Sequence, residues 1–323
     1  MEAINSLSKR IEMKYAEGTE SISEEEISWA DAVILQRKVI PYWAKMVRTL
    51  RGAGKKIIYE VDDAIVDYHM SKGNPGKAYY DQEVNQDGFK RIVEVVDGFT
   101  TTTPSLKETF DKYSSAPARV LPNSLPMNWI NKQTLKPPSA IKNFTVINWT
   151  SSAFHKQDVS VIAPVFQHLN QKYPNIRFML SGFADPDLKR VLTPSSIIEV
   201  PWVPVPKFYH ILRQIPFHLS VAPLHLPCKF NEGKSNLKIL DAATHKSFTV
   251  ASPSVEYMKC HKFAGIVGTN TVDEWISVIE AIIQDKKDMQ DLGDKAYHAL
   301  YKKYNMDKNW RMWEDYYIEV IEG

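Results

Sequence analysis

Short apolar runs alternate with longer segments of helical period along most of this chain, and no other feature constrains its fold as much. Ala32-Val33-Ile34-Leu35 reads as a buried strand, and the stretch through Tyr42, Met46, Val47 and Leu50 reads as a helix stopped by Gly52 and Gly54. Lys56 to Val61 makes the next strand. A helix around Phe89 to Val96 leads to the strand-like Gly98 to Thr102, a short helix follows Pro104, and Arg119 to Leu121 closes the half. Strands separated by helices in this way argue for parallel βαβ units.

Asn131 to Asn143, with Pro137-Pro138 inside it, is polar and aperiodic and reads as a linker. Beyond it the alternation restarts. Phe144 to Trp149, Arg177 to Ser181, Ile197 to Val200, Phe217 to Ala222 and Phe248 to Ala251 read as strands. Val159 to Lys172, Pro206 to Gln214, Ser235 to Lys246 and Glu274 to Asp285 read as helices. A length of 323 residues suits two domains on the usual prior of about 150 each. The expected architecture is α/β, with two Rossmann-like domains facing across a cleft. Residues 1–135 form the first and 136–305 the second. Trp310, Trp313, Tyr316, Tyr317 and Val320 recur at helical spacing as the packing face of a last helix.

Composition removes several classes. Forty Lys+Arg against 38 Asp+Glu leave a net charge of +2, which sets up no strong field for nucleic acid or membrane. The two cysteines, Cys228 and Cys260, are too few for a disulfide framework. The N-terminus lacks a signal-like apolar core, and no run approaches the ~18 apolar residues of a membrane span, so a cytoplasmic protein is expected. No zinc spacing, Gly-x-Ser-x-Gly elbow or Gly-x-Gly-x-x-Gly turn is present. Gly233-Lys234-Ser235 suggests a P-loop, but the first glycine of that motif would fall at Cys228.

Two motifs remain. Phe230-Asn231-Glu232-Gly233-Lys234-Ser235-Asn236-Leu237-Lys238-Ile239-Leu240-Asp241 follows a strand and opens a helix, with Gly233 permitting close backbone approach and Ser235 as N-cap. Lys234, Lys238 and Asp241, at i, i+4 and i+7, would share one helical face. Two cations followed by a carboxylate suit a diphosphate joined to a ribose; the same spacing also fits a solvated charge ladder. Asp62-Asp63, just past the strand Ile57 to Val61, suit metal binding, acid–base work or hydroxyl binding, or the capping of the next helix. His69, six residues on, is a further candidate for the cleft.

The run Asn236 to Ser252, NLKILDAATHKSFTVAS, resembles the donor-binding helix and following strand of GT-B glycosyltransferases, especially the retaining glycosyltransferase 4-like group. Three further segments fall in the family's order. Val33 to Arg37 with Ile57 to Asp63 resembles the "LQR … YDVDD" pair of a bacterial and phage branch. Leu121-Pro122-Asn123-Ser124 resembles the turn between domains, and Val146 to Asp158 the first strand and phosphate-side loop of the second domain. The resemblance implies a sugar transfer, with retention, from a nucleoside-diphosphate sugar to an acceptor hydroxyl. A UDP-sugar is the expected donor, and no cofactor or metal is expected. It also implies that a last helix, about 306–323, returns to the first domain. Carried over by position, Gly233, Lys234, Ser235, Asn236, Lys238 and Lys156 would hold the diphosphate, Asp241 the ribose, Glu232 the sugar, and Trp202 and Val203 would border the base. Asp62 and Asp63 would face the acceptor or the sugar across the cleft; with His69, taken from its place in the sequence alone, they are the expected catalytic residues. The acceptor stays open among polysaccharide, lipid-linked sugar, protein and a modified DNA base, and a scaffold that binds the donor without turnover is the alternative. Asp241 stands where the family has Glu, and the family's partner acid would fall at Gly233.

Overall fold

The computed structural model describes residues 2–15, 23–66, 75–126, 143–212, 214–215 and 217–323. His69, the linker residues 131–142 and the expected 135/136 boundary lie outside them. The chain divides into two compact units, one gathering the described residues of 1–69, 76–124 and 306–323, the other those of 70–75 and 125–305.

The first unit is built on four parallel strands, β1 (Ala32–Gln36), β2 (Lys56–Val61), β3 (Gly98–Thr101) and β4 (Ala118–Val120), lying side by side in sequence order. The helix Pro41–Gly52 puts Trp43, Ala44, Val47 and Leu50 into the core, the stripe that a 3.6-residue period produces. The last helix, Arg311–Glu322, completes this unit. Its Tyr316, Tyr317 and Val320 pack with Ile58, Leu121 and Ile4. Tyr316 Oη accepts the Phe99 backbone N–H at 2.7 Å and donates to the Phe99 carbonyl at 3.1 Å, tying the helix to β3. Both bonds are buried, so Tyr316→Phe is expected to cost about 1–2 kcal/mol, read as a lower denaturation midpoint with an unchanged m-value.

The second unit is larger. Its six strands are β5 (Thr145–Ser151), β6 (Ile176–Gly182), β7 (Ile197–Pro201), β8 (Leu219–Ala222), β9 (Phe248–Ala251) and β10 (Gly265–Ile266). All are parallel, in the order β10-β9-β8-β5-β6-β7. Both faces of the sheet are covered. Ile147 and Trp149 of β5 point to a layer with Phe166, Leu169, Trp275 and Ile279, whereas Val146 packs with Met179 and Val200 on the opposite face. The chain runs outward from β5 through β6 and β7, then returns to place β8 on the other side of β5. The chain therefore leaves β5 and β8 toward opposite sides of the sheet, and the carboxyl ends of two such strands are the place where open α/β sheets bind ligands. The four described strands of the first unit run in one direction only and have no such reversal.

Gly182, at the end of β6, sits at φ +90°, and a Cβ there would lie 2.3 Å from the Ser151 carbonyl oxygen. That close approach lets Phe183 N–H bond to Ser151 O at 2.9 Å and holds the ends of β5 and β6 together.

The helix expected over 235–246 is shorter. It spans Leu237–Ala243, and Asn236, not Ser235, occupies the N-cap position without a side-chain cap. A separate turn of helix, Lys229–Glu232, uses the preceding residues, and Lys246 at φ 55° breaks the chain after Thr244. The two-residue β10 and the helices Glu2–Leu7, Glu24–Trp29 and Lys286–Lys303 were not expected from the sequence pattern.

Candidate functional site

Three segments meet at the β5/β8 reversal, the candidate crevice. After β5 the chain makes a 3-10 turn, Ala153–His155, and enters the helix Val159–Lys172. After β8 it runs through His225 and the short helix Lys229–Glu232 to reach the helix Leu237–Ala243. Asp158, only 1% exposed, ties the first two segments together. Its carboxylate accepts from His155 Nδ1 at 2.6 Å, from the His225 backbone N–H at 2.7 Å and from Asn231 Nδ2 at 2.9 Å. A buried charge satisfied by three donors is a fixed strut.

Lys238 joins the third segment to β5, its Nζ donating to the Thr150 carbonyl oxygen. Burial pushes this ammonium down to about 8; Asp158 holds it up, Lys234 pushes it further down, and Asp241 again opposes. Asp241, one turn on, accepts a hydrogen bond from Tyr209 Oη. Burial pushes its carboxyl up to about 6, against the Tyr209 hydrogen bond and the nearby Lys238 charge. Lys234 lies before the helix, not on it, with its Nζ 4.2 Å from the centre of the Phe230 ring. Lys234, Lys238 and Asp241 therefore do converge, although only two of them share a helix. His155 stands among them. Burial, then Lys238 and Lys234, push its imidazole down to about 4 despite the Asp158 partner, so it is neutral at pH 7.

The other expected site residues are placed differently. Asn236 turns inward, its amide donating to Cys260 Sγ at 3.3 Å. Gly233 caps the preceding helix at a φ of −76°, a conformation open to any residue. Glu232, the last residue of that helix, is exposed, and Ser235 is half-buried in the loop. Lys156 Nζ is held 3.1 Å from both Asp185 carboxylate oxygens and also reaches Asp187; these side chains anchor the helix Pro186–Arg190. Of the neighbouring pair, it is thus His155 that reaches the lysines. Trp202, 75% exposed, and Val203 follow β7, the edge strand two positions from β5, which at ~4.8 Å per strand is about 10 Å from the reversal. Asp62 and Asp63 lie in the first unit, both bound by one guanidinium. Arg37 Nε is 2.8 Å from Asp62, and its Nη1 is 2.9 Å from Asp63. Arg37 itself holds a positive φ of 51° just past β1.

Sequence reasoning gave no site role to Tyr209, Asp158 or Asn231, although the last two lie inside segments it singled out. Only an i, i+3 spacing linked His155 to Asp158, and nothing local linked Tyr209 to a carboxylate 32 residues away.

No family profile matches the sequence, and no curated protein matches it. Solved structures do. Sucrose-phosphate synthase from Thermosynechococcus elongatus superposes over 90% of this chain and 74% of its own, at a TM-score of 0.62 and 12% identity. The Anabaena protein HepE, in complex with UDP and glucose, covers 88% of this chain and 77% of its own, at 0.63 and 14%. The Escherichia coli trehalose-6-phosphate protein bound with UDP-2-fluoro glucose covers 91% and 74%, at 0.61 and 10%. The fold is that of the GT-B glycosyltransferases. Identities this low carry the GT-B fold and nothing finer. Among the described residues, no helix is long and apolar enough to cross a membrane.

Proposed function

We propose that this chain is a glycosyltransferase that moves a sugar from a nucleoside diphosphate, with UDP as the expected carrier, to an acceptor hydroxyl with retention of configuration. The observation that carries this reading is the convergence of Lys238, Lys234 and Asp241 on the β5/β8 reversal. Two ammonium groups in a partly desolvated crevice suit the charge that develops on a leaving diphosphate, and stabilising that charge is the largest catalytic contribution such a site can make. Asp241 lies one helical turn from Lys238, as a carboxylate that accepts from ribose hydroxyls would. The solved structures that contain UDP or a UDP-sugar share this fold, which supports the choice of UDP. With two lysines at the diphosphate the reaction needs no metal ion, so a chelator should leave activity intact. Glu232 is assigned to the donor sugar, Trp202 and Val203 to the border of the base, and Asp62 and Asp63 to the acceptor.

Isothermal titration with UDP, GDP, ADP and TDP, then with the matching sugar nucleotides, tests the reading. The expected result is selective binding of one diphosphate and slow hydrolysis of its sugar nucleotide. Asp62→Asn should spare that binding and lose transfer. If none of the diphosphates binds at millimolar concentration, the reading fails.

A further inference from the structure

His155 is more than nine-tenths buried, and its two ring nitrogens have different surroundings. Nδ1 is committed to Asp158 at 2.6 Å, and Asp158 is itself immobilised by His225 N–H and Asn231. Nε2 has no hydrogen-bond partner among the described residues. The charged groups facing the ring are Lys238 from the helix Leu237–Ala243, Lys234 from the loop before it, and Asp158 from the start of the helix Val159–Lys172. Tyr257, from the helix Val255–Met258, flanks Asp158 and is neutral at pH 7. An imidazole fixed by a buried carboxylate favours the cation; two lysines nearby oppose it. Which influence prevails depends on whether the lysines are neutralised.

On the diphosphate reading above, we propose that His155 is a third contact to the donor diphosphate, one that the donor itself switches on. When the diphosphate seats against Lys238 and Lys234, their repulsion is cancelled and Nε2 takes one proton from solvent. Nδ1 keeps its own proton on Asp158. The resulting imidazolium donates from Nε2 to a phosphate oxygen, and the proton returns to solvent when the diphosphate leaves. A phosphate-binding contact thus exists only in the loaded protein, and the empty crevice is spared a third positive charge.

The consequence is measurable proton uptake. UDP-glucose is the right probe, because its diphosphate, esterified at both ends, has no ionisation near neutrality. At pH 7, Lys238 at about 8 is already about nine-tenths protonated and can take up only about a tenth of a proton. Titrations of UDP-glucose in buffers of different ionisation enthalpy should show uptake of more than about half a proton. Asp241 at about 6 is about nine-tenths ionised at that pH and could take up most of one, so the titration is repeated in Asp241→Asn, where uptake should persist if His155 is its source. In His155→Asn, whose amide can still donate to Asp158, uptake should vanish and the Kd should weaken about tenfold. In the wild-type protein, the His155 ring signals in NMR should be those of a neutral imidazole when free at pH 7 and of an imidazolium when bound. That readout stands even if either variant does not fold. Tight UDP-glucose binding without uptake, equal uptake in His155→Asn, or uptake lost in Asp241→Asn, overturns the inference while the donor site survives. Absence of any nucleotide binding overturns the donor reading and this inference with it.

Discussion

Lys238→Met is expected to weaken donor diphosphate binding about 100-fold while making the ligand-free protein more stable. Two opposite effects from one substitution follow from the ammonium's setting. Burial pushes Lys238 down to about 8 from an ordinary 10.5, so the folded state disfavours its charge. A group lowered in this way stabilises the fold above its unfolded value, and that contribution is lost as the pH falls from 10.5 through about 8. At pH 7 the charged side chain is therefore a net cost. Methionine keeps the apolar stem and removes the charge, and the half-buried Thr150 carbonyl can take water in its place. With allowance for partial exposure the gain is on the order of 1 kcal/mol, visible as a raised Tm at pH 7 that shrinks toward pH 10. Binding sites commonly hold charge at the expense of stability, and this pair of measurements distinguishes such a site from a structural salt ladder. If the variant loses stability and still binds the diphosphate, Lys238 is a strut and the site lies elsewhere.

The parallel α/β architecture was legible because its strands are buried on both faces. Lys56–Val61 and Phe248–Ala251 are bounded in the structure as the apolar runs suggest, and the helix Val159–Lys172 matches its period end to end. The two-residue β10 is too short to show a period, and the helix Lys286–Lys303 carries many charges on its exposed face. Strand order was not legible at all. It depends on which loop crosses the sheet, and it is the order that puts the crevice between β5 and β8. The site was read in part for the same reason. Lys234, Lys238 and Asp241 are close in sequence, so spacing brought them together. His155 and Tyr209 reach them only through the packing of β5 and of the helix Val205–Leu212. Lys156 is the reverse case: its place in sequence suggested phosphate, and two acids from a neighbouring helix claim it.

Donor affinity should fall below pH 6, and Asp241→Asn should abolish that dependence. The Asp241 carboxyl is pushed up to about 6 by burial, while Tyr209 Oη and Lys238 favour its ionised form. A ribose hydroxyl donates most strongly to an ionised carboxylate, so the productive state is the charged one. Each pH unit below about 6 then costs roughly tenfold in binding that passes through Asp241. At pH 7 the asparagine variant should bind a UDP-sugar ~10–100-fold more weakly than wild type, and by pH 5 the two Kd values should draw together. Stability supplies an independent check with its own sign. A carboxyl raised in the folded state contributes stability that is complete below its unfolded value of 3.8 and is lost as the pH rises through about 6. Asn can still accept from Tyr209 but carries no charge, so the ligand-free variant should match wild type near pH 4 and exceed its Tm at pH 7. Affinity lost at neutral pH together with stability gained there is the pattern of a carboxylate kept for a ligand. If affinity is unchanged and Tm falls at neutral pH, Asp241 serves the Tyr209 contact alone and the ribose must bind elsewhere in the crevice.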